Sequence, residues 1–188
     1  VLTTEEMITM IKRAGIRFDL LESEAADMPF GMGSGGGVIF GNSGGVMEAA
    51  LRTLCDGPER PAIEALRQSG VRGPGALREF TFSYKGNEIK AAVVSGLAEA
   101  DALLRRIKNG ESFYHFVEVM ACRRGCIMGG GQPGHAGFRT KEARKHGLYE
   151  SDVNTQIKKS NENPTALAIY DTLIKGREHE LLHSHRQH

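Results

Sequence analysis

Glu118 to Pro133 reads EVMACRRGCIMGGGQP and closes an apolar run that begins at Phe113. The run ends in two cysteines four residues apart, followed by three consecutive glycines. A buried strand delivers functional residues at its C-terminal end, where the chain turns into a loop. Cys122 and Cys126 therefore stand where a parallel sheet would present ligands. A thiolate is a nucleophile and a soft metal ligand, so paired cysteines on such a loop point to zinc or iron–sulfur chemistry. Two ligands do not complete a four-coordinate site, and buried or disulfide-paired cysteines share this spacing, so both readings stand on the residues alone. Gly129, Gly130 and Gly131 would let backbone approach a bulky cofactor or aim N–H groups at an anion. Pro133 stops helix propagation.

Upstream of this stretch, Phe80–Tyr84 and Glu88–Val94 flank Lys85-Gly86-Asn87, the signature of a β-hairpin. The second arm becomes continuously apolar, as a strand entering a buried sheet should. Ala98–Lys108 reads as a helix ended by Asn109-Gly110, and Phe113–Val119 as the next strand. Strand, helix, strand and cysteine loop form a right-handed crossover unit. The fold class is α/β, a mostly parallel sheet flanked by helices with a helical C-terminal tail. Residues 1–188 read as a single domain, with 134–188 packing on it as that tail.

Eight of the fifteen residues from Gly31 to Gly45 are glycine. Gly31, Gly33 and Gly36 spell G-x-G-x-x-G, but Met28-Pro29-Phe30 before them is not the strand a dinucleotide fingerprint needs. A backbone passing close to a cofactor is the better reading, with Asn42 or Ser43 capping a helix from Val46 to Leu54 that is apolar at Val46, Ala49, Ala50 and Leu54. Residues 56–77 hold three of the six prolines around a helical piece, Ile63–Gln68, and read as a surface excursion. Cys55 reads as a core thiol on a helix. At the start, Thr4 with Glu5 and Glu6 reads as an N-cap and acidic first turn, and Gly15 as the helix end. Val1-Leu2 before it reads as the end of a strand, so an N-terminal part is expected elsewhere. Beyond Pro133, helices are expected over Lys141–His146, Tyr149–Ser160 and Pro164–Ile174. The acid-to-base order from Asp152 to Lys159 suits a solvated helix face.

The chain has 188 residues, 40% hydrophobic and 25% charged, with a formal net charge of +1. That suffices for a proper core. With no basic stripe, nucleic acid is not an expected partner. No apolar run approaches the ~20 residues needed to span a bilayer, and a cytoplasmic location is expected.

The exact string around Cys122 and Cys126, from Glu118 through GGGQP, resembles the third cysteine motif of the iron-only (di-iron) hydrogenases. GVIFGNSGGVMEAALRT (37–53) resembles the segment of that family that packs over the active-site cluster, and HELLH near the C-terminus is also typical of it. The resemblance implies the C-terminal lobe of a two-lobed catalytic domain that holds the H-cluster, a 4Fe-4S cubane joined to a di-iron unit with carbon monoxide and cyanide ligands. It implies reversible proton reduction to dihydrogen. Cys122 and Cys126 would ligate the cubane, with Cys126 bridging to the di-iron unit. Phe40, Gly41, Val46 and Met120 would line the pocket. The family's other two cysteine ligands, its pocket lysine and its proton-relay cysteine belong to motifs that this sequence lacks. The upstream half of the catalytic domain is therefore an implied partner, on this or another chain, and a ferredoxin or other iron–sulfur carrier is the implied electron source. On its own the chain is expected to be inactive.

Arg123, Arg124 and Met128 depart from the small residues commoner in the family. Two guanidiniums beside an anionic cluster would favour its reduced form. They equally suit a docking patch for an electron carrier, or exposed positions the loop tolerates. A hydrogenase-like iron–sulfur sensor or assembly protein without fast turnover is the second functional reading. The third is a zinc hydrolase, because His179-Glu180-Leu181-Leu182-His183 spells H-E-x-x-H. Its place at a chain end, where helices fray, favours docking of the tail instead.

Overall fold

The computed structural model describes residues 1–25, 27, 31–54, 60–134 and 137–183. Its centre is a three-stranded sheet in the order β1-β2-β3: β1 (Leu77–Tyr84), β2 (Asn87–Ser95) and β3 (Phe116–Met120). The hairpin turns over Lys85 and Gly86, both left-handed (φ 49° and 79°), so Tyr84 pairs with Asn87. Two positive φ values in a two-residue loop match the twist of the flanking strands. β1 and β2 are antiparallel, and β2 and β3 are parallel, joined through helix α5 (Leu97–Lys108). The sheet is thus small and mixed, within an α/β architecture.

β2 is apolar throughout its second half because both of its faces are covered. Ala91 and Val93 lie in one cluster with Met47, Leu51, Leu66, Val71 and Phe80. Ala92 and Val94 point the other way, onto Ala100 and Leu103 of α5. Alternate residues of a strand face opposite sides, so one run fills two cores.

The first core is roofed by α3 (Gly45–Leu54) and α4 (Arg60–Leu66). The buried face of α3 carries Met47, Glu48, Leu51 and Arg52 as well as the expected Ala49, whereas Val46 and Ala50 are half-buried and Leu54 is exposed. The apolar stripe expected from Val46 to Leu54 is rotated because an ion pair, Glu48–Arg52, is buried inside the core face. Residues 56–77 are no mere excursion: Ile63, Leu66 and Val71 are buried, and a wide turn over Arg67–Val71 breaks at Gly70 against the Phe80 ring. Cys55 and Met28-Pro29-Phe30 lie outside the described residues.

α1 (Thr4–Arg13) starts one residue earlier than its acidic pattern implies. Thr3 is the N-cap, and its hydroxyl and backbone exchange hydrogen bonds with Glu6 in a capping box. Gly15 (φ 69°) follows its end, and Val1 and Leu2 join no strand. Past the cysteine loop, α6 (Phe138–Asn154) is one helix where two were expected, and it ends six residues short of Ser160. Lys158 explains the end. Its ammonium donates to the carbonyls of Asp152, Val153 and Thr155, satisfying the last turn so that the chain leaves extended. Asn163 then caps α7 (Pro164–Ile169). Ile174 is buried, whereas Tyr170 and Leu173, the expected apolar side, stay exposed. The short α8 (Glu178–Leu182) buries no residue.

Asp152, expected on a solvated face, is fully buried, and Lys159 nearly so. The Asp152 carboxylate accepts both terminal nitrogens of Arg52 at 2.7 Å, plus Arg67 at 2.8 Å and Arg72 at 3.1 Å. Glu48 accepts from Arg52, and from Arg72 at 2.6 and 2.7 Å. Two carboxylates and three guanidiniums thereby lock α6 onto α3 and the 67–72 turn. The same contact explains part of the glycine run. A side chain at Gly35 would strike the Asp152 carboxylate at 2.2 Å, and Gly36 lies against the backbone of Lys158. That stretch is bare so that the short helix α2 (Gly35–Val38) can meet protein.

Burial raises the Asp152 pKa, but the guanidiniums of Arg52 and Arg67 more than reverse this and hold it at about 2, against 3.8 ordinarily. A depressed carboxylate pKa contributes stability that is full above about pH 4 and lost as pH falls towards about 2. Asp152→Asn is expected to lower stability by at least about 2 kcal/mol at neutral pH. In urea titrations, the gap between the variant and the parent protein should close across that acidic window. A gap that stays constant would show that the carboxylate charge does not hold α6.

Candidate metal centre

Cys122 and Cys126 are exposed, unbonded thiols on the loop that leaves β3. The loop is held by its main chain. Gly125 N donates to Cys122 O at 3.1 Å and Gly129 N to Cys126 O at 3.1 Å, making two successive turns. Arg124 takes a left-handed conformation (φ 71°), rare for a residue with a side chain. Its backbone N–H donates to the Ser95 hydroxyl at the end of β2, and its carbonyl accepts from Ser43 N at 3.4 Å. Gly125 (φ 90°) has no room for a side chain, since a Cβ would lie 2.6 Å from Gly41 O and 2.8 Å from Ser43 N. The loop and the 41–43 segment thus touch backbone to backbone.

Glu118 completes this arrangement. Its carboxylate, buried in the middle of β3, accepts from Gly44 N and Met47 N, each at 2.7 Å. It therefore caps α3, in place of the Asn42 or Ser43 caps expected from sequence, and anchors that helix at the strand end that launches the cysteines. Asn42 instead donates to the Tyr149 hydroxyl, and Ser43 accepts from Arg78 at 3.0 Å. The sequence did hold a signal for Glu118: a lone acid in an apolar strand needs buried donors. Nothing local marked Ser95 or Tyr149.

The predicted pocket residues fall as follows. Gly41 meets the loop directly, facing Ile127 and Leu148. Phe40, one residue earlier, leaves 46% of its surface exposed. Val46 is half-buried in the first turn of α3, and Met120 is half-buried two residues before Cys122. Of the three glycines after the cysteines, Gly131 is bare because Thr3 packs on it, and Glu5 N donates to its carbonyl at 3.0 Å. Gly130 has open space, and a Cβ at Gly129 would lie 3.4 Å from both the Cys122 sulfur and the Cys126 carbonyl. A side chain there would fill the space beside the sulfur. Two thiols beside a bare backbone suit a sulfur-liganded iron cluster in kind, and they supply half of a four-thiolate set. Among the described residues, no group of three or more His, Cys, Asp or Glu is placed to hold a metal ion.

The HELLH helix is a single turn with the His179 and His183 rings 5.4 Å apart. Its Glu180 is paired with Arg177 at 2.7 Å. Among the described residues, no helix is long and apolar enough to cross a membrane.

Two family models match, and they divide the chain. Residues 1–130 match the iron only hydrogenase large subunit, C-terminal domain, and residues 139–186 match the iron hydrogenase small subunit. Iron hydrogenase 1 of Clostridium pasteurianum is 40% identical over 97% of this chain and 33% of its own length. A cytosolic Fe-S cluster assembly factor of Xenopus tropicalis is 28% identical over 89% of this chain and 36% of its own. A solved structure of the FeFe-hydrogenase HydA1 of Chlamydomonas reinhardtii superposes with a TM-score of 0.69 at 33% identity, covering 96% of this chain and 53% of that one. The chain spans about a third of the length of the curated relatives it matches.

Because Glu118 and Gly125 seat the loop, both can be tested without touching a thiol. Glu118→Gln loses one acceptor and is expected to cost about 1–2 kcal/mol in thermal or urea unfolding. Gly125→Ala is expected to loosen the cysteine loop, read as faster proteolysis between Cys122 and Gly130. Glu88→Gln, on the exposed hairpin, serves as the control. Equal behaviour of all three variants would remove Glu118 and Gly125 from this role.

Proposed function

The chain belongs to the iron-only hydrogenase family, and we propose that it is the lobe that supplies two of the four cysteine ligands of an H-cluster in an enzyme interconverting protons and dihydrogen. The observation that carries this reading is the pair of exposed thiols on a loop seated backbone-on-backbone against Gly41 and Ser43. In this reading Cys122 and Cys126 would hold the cluster's iron through their thiolates. When bound, the cluster supplies the redox chemistry. The chain's own residues hold and shield it. Bare Gly129 leaves room beside the Cys122 sulfur. Phe40, Gly41, Val46 and Met120 would line the pocket and keep water from the iron. Glu118 fixes α3 against β3, so the pocket segment and the ligand loop keep one geometry. The remaining ligands come from the other half of the catalytic domain, and a ferredoxin or similar iron–sulfur protein delivers electrons.

A second reading, an assembly factor that holds a cluster without turnover, is favoured by the likeness to a cytosolic Fe-S cluster assembly factor over most of this chain.

The test is an infrared spectrum of the natural polypeptide carrying this sequence, matured anaerobically together with the upstream half. Carbon monoxide and cyanide stretches that vanish in Cys126→Ala are the expected result. Iron and sulfide without those stretches would favour the assembly reading, and zinc in place of iron would overturn both.

A further inference from the structure

Behind the cysteine loop, on the side of the hairpin entrance and α6, lies a cleft of about 690 Å³ that the cluster reading does not use. Its walls come from five places in the sequence: Asn42, the 72–78 turn, the end of β2 with the start of α5, the loop residues between and after the cysteines, and α6. Arg78, Arg123, Arg124, Lys141 and Lys145 line it, against only two acids, Glu99 and Glu142. Arg72 also faces it, but its charge is already taken by Glu48 and Asp152. Glu142 is shared between Lys141 at 3.5 Å and Lys145 at 4.0 Å.

The guanidiniums on the other walls are less compensated. Arg123 and Arg124 make no ion pair with any described residue. The stem of Arg123 lies along Gly96, 3.1 Å from where a Cβ would stand, which holds that side chain in place. Arg78 donates to Ser43 and to the Gly73 carbonyl, yet its buried Nε has no acceptor among the described residues. Burial lowers its pKa, opposed by Glu118 and Tyr149, so the site holds a cation at a desolvation cost that a bound anion would repay.

We propose that this cleft binds a small phosphate-bearing anion, with Arg78, Arg123 and Arg124 as the recognising groups and Lys141 and Lys145 closing it. Three guanidiniums present planar N–H forks that match phosphate oxygens, which point-charge lysines alone would not. The concavity and volume fall in the range of small-molecule sites and differ from a flat protein-docking face. The inference does not depend on the cluster. The cysteine thiols belong to the same loop but not to the cleft lining.

The test is calorimetric titration of the natural polypeptide, as purified and without added metal, with pyrophosphate and with adenosine triphosphate at physiological salt. One saturable site per chain is expected. Arg123→Ala combined with Arg124→Gly, which suits the left-handed backbone at 124, should weaken it at least about tenfold. Arg105→Ala, on the outer face of α5, should leave it unchanged. Three outcomes would overturn the proposal: no binding at millimolar ligand, binding insensitive to the double variant, or citrate bound as tightly as pyrophosphate. Heat from an acidic polypeptide but none from the small anions would also overturn it, and would mark the cleft as a protein-docking site.

Discussion

The buried ionic cluster between α3 and α6 is the constraint on which the arrangement rests. Removing Glu48, Arg52 and Asp152 from water is costly, and their mutual attraction repays that cost only because nearly every oxygen is matched by a donor. Replacing such a network by apolar side chains of equal volume is often neutral or stabilising, so its distinctive contribution is directional geometry. Asp152 must meet Arg52 end-on, with Arg67 and Arg72 closing from the far side. That fixes where α6 sits along α3. It also explains why residues 139–186, matched by a small-subunit model, lie in register with a core matched by the large-subunit model. A slip of one helical turn would take the Asp152 carboxylate away from Arg52, Arg67 and Arg72 together.

α3 is held at its other end by Glu118, so the helix is pinned between a strand and a tail through carboxylates at both contacts. Its first turn carries Val46, and the segment before it carries Gly41. The position of the proposed pocket wall relative to the cysteines therefore follows from two charged contacts more than from apolar packing. Apolar contacts are non-directional and tolerate small shifts, whereas a bidentate carboxylate does not.

Much of this was legible in the sequence. The hairpin over Lys85-Gly86, the doubly buried β2, α5 and the cysteine loop all follow from period and turn chemistry. What sequence reading missed is where charge is buried. Glu48 and Arg52 read as an ordinary i,i+4 surface pair, and Asp152 as solvent-facing, because the partners that bury them are 24 to 100 positions away. The phase of α3 and the burial of the 56–77 stretch escape sequence reading for that reason, since Arg67 and Arg72 belong to the same network. The glycine run at 31–45 reads as clearance for a cofactor, whereas Gly35 and Gly36 clear the tail. Glycine spacing shows that something passes close by, but it carries no information about what that is.

The cysteine loop separates backbone from side chain in a way that bears on both proposed sites. Its course is set by main-chain atoms: the Arg124 amide on Ser95, the Arg124 carbonyl under Ser43 N, and Gly125 against Gly41. None of these contacts uses the side chains at 123 and 124, so those positions can change charge without moving either thiol. Met128, held by the Gly125 carbonyl through its own amide, has the same latitude. The thiols and the cleft behind them can therefore vary separately, although fewer than five residues separate their groups. A loop fastened this way can acquire an anion site on one side while its ligand geometry on the other stays fixed. That is a physical reason for two arginines to stand between two cysteines.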